Sequence, residues 1–180
     1  MTDQIVLGSG KLYIMGFNGE VPEAEIIETE ENRVGYIQGG ASLQYSPTEL
    51  QISDDSGTFI RRYLTKEEVT FKSGVLTWTL EVLNQLSCAG KYTDANGVRT
   101  LKLGGSGARE MKKFVVHFVH EKDDGNTIKI TIVGTASNGF QLAFAADKET
   151  VIDAEFKSIS QDKDGTQVII TETYATEVVG

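Results

Sequence analysis

The chain has 180 residues, a length that suits a single domain burying roughly 70% of the surface that its unfolded form exposes. Its 17 basic and 26 acidic residues give a formal net charge of −9. An acidic protein binds nucleic acid poorly, because that affinity rests on Lys and Arg neutralising phosphates. Ordinary solubility explains the charge equally well. The single cysteine, Cys88, excludes an internal disulfide.

The sequence also argues against a membrane or secreted protein. No apolar run approaches the roughly 18 residues of a transmembrane helix. The first residues lack the basic start and apolar core of a signal peptide. We therefore expect a soluble protein that folds inside a cell and has no membrane partner.

The first part of the chain predicts short strands followed by an acidic segment. Strands are expected at residues 3–7 and 11–17, with a turn at Asn18-Gly19. Residues 18–32 are acidic, contain a proline and have weak hydrophobic periodicity. This segment is predicted to be a mobile loop that partners could order.

Two predicted strands then flank a long excursion. Residues 34–45 and 67–77 alternate apolar and polar side chains, the period typical of half-buried strands. Residues 46–65 form the excursion, and its tip at residues 54–57 has turn-forming side chains. The excursion is too apolar for a loop that only meets solvent. It carries large apolar side chains, among them Leu50, Ile52, Phe59, Ile60 and Tyr63.

One helix is predicted at residues 79–89. Thr79 can cap its first turn, three leucines at helical spacing form an apolar stripe, and Gly90 suits the position just past its end. The helix is therefore expected to pack on the strands through its leucines.

The rest of the chain predicts further strands, after a loop with turns at Asn96-Gly97 and Gly104-Gly105. Four runs have apolar residues on one face. These runs contain Phe114, Val116 and Phe118; Ile128, Ile130 and Ile132; Phe140, Leu142 and Phe144; and Ile152, Ala154 and Phe156. A last strand is expected at residues 167–173.

The pattern as a whole predicts a mainly β fold. Because each strand has one apolar face, the sheets must bury those faces against each other or against the helix. We expect two packed antiparallel sheets, as a β-sandwich or open barrel, flanked by one α-helix, with a long hairpin loop and terminal arms. No linker divides residues 1–180, which are predicted to form one domain.

Residues suited to catalysis or metal binding are few. His117 and His120 lie three positions apart on a predicted strand, so they point to opposite faces and cannot easily share an ion. The stretch GSGKL at residues 8–12 lacks the earlier glycine and the following Ser or Thr of a phosphate loop. Cys88 has no base nearby in sequence and is expected to pack as a small hydrophobe. We expect no catalytic residues, no metal and no cofactor.

Two stretches carry a resemblance to a known family. The passage EEVTFKSGVLTWTLEVLNQL and the closing hairpins NTIKITIVGTASNGFQLAFAADKETVIDAEFKSI resemble the major tail tube protein of tailed bacteriophages. The similarity extends over residues 33–175. It implies two packed antiparallel sheets with one flanking helix, a fold shared with the tubes of contractile tails and of type VI secretion.

The resemblance implies a structural function rather than an enzyme. Such subunits form hexameric rings whose sheets join into one inner barrel, and the rings stack into a hollow tube. The tube assembles in the bacterial cytoplasm around a tape-measure protein, between a tail initiator or distal tail protein and a terminator. In the virion it conducts DNA during ejection without binding it tightly. Contractile and non-contractile tails are not distinguished.

The resemblance also assigns roles to segments. The excursion at residues 46–65 takes the place of a loop that contacts the adjoining ring, so the five apolar side chains named above are expected inter-ring contacts. The alternative is a hairpin folded on its own subunit. Residues 18–32 and the C-terminal arm, 173–180, lie beside the expected ring edges.

The channel lining is expected on the face opposite the core. It should be polar and net acidic, since basic walls would hold DNA, with Lys72 and Lys157 as partial offsets. The lumen-facing candidates are Gln38, Ser42, Gln44, Glu68, Asp153 and Glu155.

A monomeric β-sandwich binding module, of adhesin or carbohydrate-binding type, is the alternative from another class. Such modules usually present aromatic residues or a metal on a loop surface, whereas Trp78 lies at the helix start and is expected in the core. A small enzyme is a third reading, and it would need a convergent His, Asp or Glu constellation. A chain that stays monomeric at every concentration and salt would favour the binding module.

Overall fold

The computed structural model describes residues 10–107, 109–144, 146 and 149–174. The strand predicted at residues 3–7 lies outside these residues, as does most of the C-terminal arm. Within the described chain, neither helix has the length and apolarity that a membrane crossing requires.

The described chain forms nine strands and two helices. The strands are β1 (Lys11–Gly16), β2 (Ile37–Ser53), β3 (Ile60–Val75), β4 (Lys91–Ala95), β5 (Val98–Lys102), β6 (Phe114–Glu121), β7 (Thr127–Ala136), β8 (Ile152–Ile159) and β9 (Ile169–Glu172). The helices are α1 (Ala24–Ile27) and α2 (Leu80–Leu86).

The strands form two antiparallel sheets. The larger has the order β1-β6-β7-β8-β3-β2, and β9 also pairs with β7. The β7 strand is a branch point, because residues 128–131 pair with β9 and residues 133–136 pair with β8. The smaller sheet is the β4–β5 hairpin, whose Asn96-Gly97 turn has φ of 53° and 74°, the left-handed values of a two-residue hairpin turn. The predicted mainly β class is confirmed.

The larger sheet folds over on itself and encloses the main core. Phe71 on β3 and Phe118 on β6 have ring centroids 6.0 Å apart, although three strand spacings, about 14 Å in a flat sheet, separate these strands. Two leucines of α2 close one side of the core. Its buried members are Leu12, Ile14, Val34, Val69, Phe71, Val75, Leu83, Leu86, Phe114, Val116, Phe118, Ile132, Ala136, Ile152, Ala154 and Phe156.

Helix α2 begins as predicted and ends earlier. Thr79 accepts a hydrogen bond from the Val82 amide at 3.3 Å, which confirms the predicted cap. The helix stops at Leu86 because Ser87 leaves helical geometry. Cys88 beyond it is exposed, so the prediction that it packs as a small hydrophobe was wrong.

The run with Phe140, Leu142 and Phe144 is not a strand, which corrects the sequence prediction. The Asn138 side chain takes over the pairing to β8, since its Nδ2 donates to the Asp153 carbonyl at 2.7 Å. Beyond it the chain leaves the sheet. Phe140 and Leu142 still pack against the core, whereas Phe144 is exposed.

Candidate assembly surfaces

The predicted excursion is a long β-hairpin that stands out from the domain. Every residue from Pro47 to Glu68 is exposed, including the outer parts of β2 and β3. We call residues 47–68 the arm. The β2 residues of the arm, 47–53, span about 23 Å at the usual rise of about 3.3 Å per residue. From Val69 onward, alternate residues of β3 are buried. The same strand therefore contributes to the core at one end and to the arm at the other.

The tip of the arm is a tight turn built around Asp54. Its amide donates to the Phe59 carbonyl at 3.1 Å, and the Phe59 amide donates back to Asp54 Oδ1 at 2.8 Å. Hydrogen bonds from Ser56 and from the Phe59 backbone lower the pKa of Asp54. The turn predicted at residues 54–57 is therefore confirmed.

One face of the arm is apolar. Leu50 lies opposite Tyr63, and Ile52 lies opposite Arg61. The Arg61 guanidinium lies 4.9 Å from the ring centroid of Phe59, so Phe59 joins this face. Four of the five expected inter-ring residues therefore lie together. The arrangement gives the arm a continuous apolar strip at its outer end.

The other face of the arm is mixed. Ile60, the fifth expected inter-ring residue, lies there opposite Ser53. The structure therefore separates Ile60 from the other four. Its companions on this face are Glu49, Gln51, Arg62 and Leu64.

All six lumen-facing candidates share one polar face on β2, β3 and β8. Side chains alternate along each strand, and the residues between the candidates, such as Phe71 and Phe156, point into the core. We call this surface the polar face. Across the strands it contains Gln38, Gly74 and Asp153; Ser42, Lys72 and Glu155; Gln44, Thr70 and Lys157; and Ser46 and Glu68. Through Thr48 and Lys66, this face continues into the apolar strip of the arm.

The polar face is nearly balanced in charge and keeps only a small acidic excess, because lysines stand beside its carboxylates. Lys66 Nζ lies 2.6 Å from Glu68 Oε1, and Lys72 Nζ lies 2.9 Å from Glu155 Oε2. These hydrogen bonds lower the pKa of both carboxyl groups. As defined above, the face has three acids and two lysines, and Lys66 lies beside Glu68 where the face passes into the arm. The charged residues are Glu68, Asp153, Glu155, Lys66, Lys72 and Lys157.

The β2 strand is an open edge of the sheet. At the opposite edge, β1 is covered by its own chain: the Ile14 amide donates to the Asn32 carbonyl, and the Val34 amide donates to the Leu12 carbonyl, both at 2.8 Å. In the described residues no strand pairs along the outer side of β2. Its 17 residues therefore present backbone groups that can template pairing with another chain. Pro47 suits this position, because proline in a sheet is confined to edges and bulges.

The segment predicted to be a mobile loop is anchored at its centre. We call residues 18–32 the strap; it contains helix α1. Ile27 is 1% exposed and packs with Tyr13, Val115 and Val133 in a second apolar cluster on the outer side of β1, β6 and β7. Mobility at the ends of the strap stays a prediction. The exposed strap glutamates are Glu20, Glu23, Glu25, Glu30 and Glu31.

The two histidines of β6 are both buried and lie on opposite faces of the strand. His117 faces the second cluster, where its Nδ1 is 2.7 Å from Thr131 Oγ1 and its Nε2 is 3.1 Å from Glu28 Oε1. Across the described part of the chain, His, Cys, Asp and Glu side chains form no group that could hold a metal ion.

The hairpin form of the arm was predicted from the sequence as a long hairpin loop, and the structure confirms it. Leu50 and Ile52 alternate with polar residues before the turn, whereas the residues after it, FIRRY at 59–63, do not alternate. Only the first strand of the hairpin therefore carries an alternating sequence signal. The contact between the strap and His117 had no such signal, because 89 residues separate its two partners.

Comparisons with protein-family models and with curated proteins find no match for this chain. Its function is therefore inferred from its own surfaces and from the sequence pattern.

Proposed function

We propose that the chain is a structural subunit of a bacteriophage tail tube. Copies join side by side into hexameric rings, and the rings stack into a hollow tube that conducts DNA during ejection. The observation that carries the proposal is β2, whose unpaired edge leads directly into the exposed arm. The number six, the place in the virion, and the tape-measure, initiator and terminator partners follow from the sequence resemblance.

Ring closure accounts for the open edge of β2. An unpaired edge strand promotes uncontrolled association, and natural sheets normally cover or shorten it. Here the edge is 17 residues long. Pairing it with a different edge of the next subunit is a head-to-tail contact, and such contacts generate rings when the rotation closes. Every subunit in the ring would then have its edge satisfied.

Ring stacking accounts for the arm. An isolated two-stranded hairpin is marginally stable in water, and this one presents Leu50, Ile52, Phe59 and Tyr63 to solvent on one face. Its length of about 23 Å allows it to reach a subunit of the adjoining ring. Contact there would bury the apolar strip.

The polar face suits a channel that DNA must leave quickly. Held against carboxylates, Lys66 and Lys72 are less available to phosphates. A nearly balanced wall therefore neither binds DNA tightly nor repels it strongly.

Assembly can be tested directly by electron microscopy. We expect concentrated purified protein, alone or with a tail initiator complex, to form hollow tubes of stacked six-fold rings. Negative-stain images and size-exclusion chromatography over a range of concentration and salt provide the measurement. Persistent monomers in the presence of the initiator would contradict the proposal and favour a monomeric binding module.

Assembly should also change the protection of the flanking segments. We expect amides of residues 18–25 and of Tyr174 to exchange rapidly in the monomer and slowly in the tube, because neighbouring subunits would cover them. Amides of β6 provide the internal control, since this strand is buried within one subunit. Hydrogen exchange that is equal in monomer and tube for both segments would refute this part of the proposal.

A further inference from the structure

One carboxylate of the strap, that of Glu28, bonds to two side chains of the sheet. Glu28 Oε1 lies 2.6 Å from Lys129 Nζ and 3.1 Å from His117 Nε2. Because a carboxylate only accepts hydrogen bonds, Nε2 of the imidazole must carry the proton that it donates. In the neutral ring, Nδ1 then accepts from the Thr131 hydroxyl at 2.7 Å. Each ring nitrogen therefore has a hydrogen-bond partner while His117 is uncharged.

His117 is surrounded on every side by the protein. It is 2% exposed. From β1 the Tyr13 ring faces it with a centroid distance of 6.2 Å. From β7 it meets Thr131 and Lys129, and from the strap it meets Glu28. The titratable groups around the imidazole are thus one carboxylate, one ammonium group and one phenol.

Protonation of His117 would place two positive charges against one carboxylate, around an imidazole that is itself 2% exposed. With the imidazole neutral, Lys129 and Glu28 balance each other. A proton on His117 leaves a net positive charge that only solvent could relieve, and burying an uncompensated charge is costly. The Nδ1–H of the charged ring would also force the Thr131 hydroxyl to give up its donor role.

Beyond this cluster the strap has few attachments. Helix α1 has four residues and no side-chain cap. Its apolar contacts with the second cluster come from Ile27, with Val21 partly buried beside it. Asn32 adds hydrogen bonds from Nδ2 to the carbonyls of Ile26 and Ile27, both at 3.1 Å. The Asn32 carbonyl also accepts from the Ile14 amide at 2.8 Å, so the end of the strap stays on β1 while residues 18–31 can open without disturbing the main core.

We propose that Glu28, His117 and Lys129 form an acid-sensitive latch, which holds the strap on the outer face of the sheet at neutral pH and releases it on acidification. Opening would expose His117, and a proton taken up in the open state would oppose reclosure. The latch is independent of tube formation and operates within one subunit.

The direction of the pH effect follows from the two titrating groups. Burial lowers the pKa of His117, and this outweighs the opposing effect of Glu28. Burial alone would raise the pKa of Glu28, but hydrogen bonds from Lys129 and His117 hold it below its ordinary value. Both groups therefore bind protons more readily when the strap is open. The stabilisation is complete above the ordinary His pKa of 6.5 and declines below it. Below the ordinary Glu value of 4.5, loss of the carboxylate removes the rest.

Hydrogen exchange of the strap amides between pH 7.5 and 5 tests the latch. One linked proton changes the opening equilibrium by up to about tenfold per pH unit. After correction for intrinsic exchange, we expect the protection of the Glu28 amide, which donates to the Ala24 carbonyl at 2.8 Å, to fall accordingly below pH 6.5. Core amides of β6 should keep their protection. In the unmodified protein, NMR titration of the His117 ring should give a midpoint below 6.5 that coincides with the change in the strap.

Three variants separate a latch from a merely structural contact. His117→Gln keeps a donor for Glu28 but cannot titrate, so strap protection should become independent of pH over this range. Lys129→Met removes the competing charge, and the pH effect should shrink. His120→Gln changes the histidine on the opposite face and should retain the original profile. Strap protection that does not vary with pH, an unchanged profile in His117→Gln, or a His117 midpoint at or above 6.5 would each overturn the proposal.

Discussion

Replacing Leu50, Ile52 and Tyr63 together with threonine is expected to raise the protein concentration needed for tube growth about 100-fold. In the single subunit these side chains are 51%, 48% and 46% exposed. A contact with the next ring would therefore bury about half of each, worth about 1 kcal/mol per side chain. Threonine favours strands, so the arm should keep its pairing. Sedimentation of tubes as a function of protein concentration measures the shift.

The matched control changes the other face of the same strands. Gln51→Thr and Arg62→Thr lie opposite each other on the mixed face and should leave the critical concentration within about twofold, the scale of a surface substitution. The apolar-face variant should retain the circular dichroism spectrum and melting temperature of the parent. An equal loss of tube growth in the apolar-face variant and in the mixed-face variant would show that the arm acts through its general integrity rather than through its apolar strip.

Deleting the outer arm is a stronger form of the same test. Residues 50–62 can be replaced by a short Gly-Ser link, because every residue in this range is exposed and contributes nothing to the core. The subunit should fold normally and yet fail to extend tubes. Normal tubes from this deletion would refute the assignment of the arm to ring stacking.

The sequence predicts the core of this fold well, because local periodicity determines it. In β3, Val69, Phe71 and Val75 are buried as their alternation requires. Asn96-Gly97 adopts the left-handed pair of a two-residue hairpin turn, and Thr79 caps the helix. Each of these features depends on residues within a few positions of one another. The conformational preferences of neighbouring residues are therefore sufficient to specify these features.

Features that depend on distant parts of the chain were not predictable. The strap is held by Glu28, whose partners His117 and Lys129 are 89 and 101 residues away. The run ending at Phe144 alternates like a strand, yet Asn138 completes the edge of β8 with its side chain and the run leaves the sheet. The charge balance of the polar face likewise depends on strand register, because the register determines which lysine lies beside each acid.

The six lumen-facing candidates share one face, as the alternation of side chains along each strand predicts. That this face lines a channel stays a prediction. The five expected inter-ring residues do not all share one face of the arm. Ile60 differs from its neighbours because the tip turn and the register place it opposite Ser53, on the mixed face. A one-residue difference in register moves a side chain to the other face, and the sequence alone does not specify the register of a hairpin at this distance from the core.

Changing Glu68, Asp153 and Glu155 together to lysine is expected to leave tubes intact and to slow DNA ejection, most visibly at low salt. Each replacement changes the charge by two units, so the nearly balanced polar face gains six positive charges per subunit. Lys66 and Lys72 also lose their carboxylate partners. DNA carries one charge per about 1.7 Å of its axis, and free lysines would bind it by releasing counterions. Screening limits the effect to about 8 Å at physiological salt, so only side chains that line the channel can produce it.

The control for this variant is the same change of charge on another surface. Glu81, Glu110 and Glu121 are exposed and lie outside the polar face, so their replacement by lysine adds six positive charges without altering the proposed channel. Ejection from these tails should proceed at the parent rate at every salt concentration. Glu155 also accepts a hydrogen bond from Ser137 Oγ at 2.8 Å, so tube integrity in the first variant must be verified by microscopy before its rate is interpreted. Ejection at the parent rate from intact polar-face tails would show that this face does not line the path of DNA.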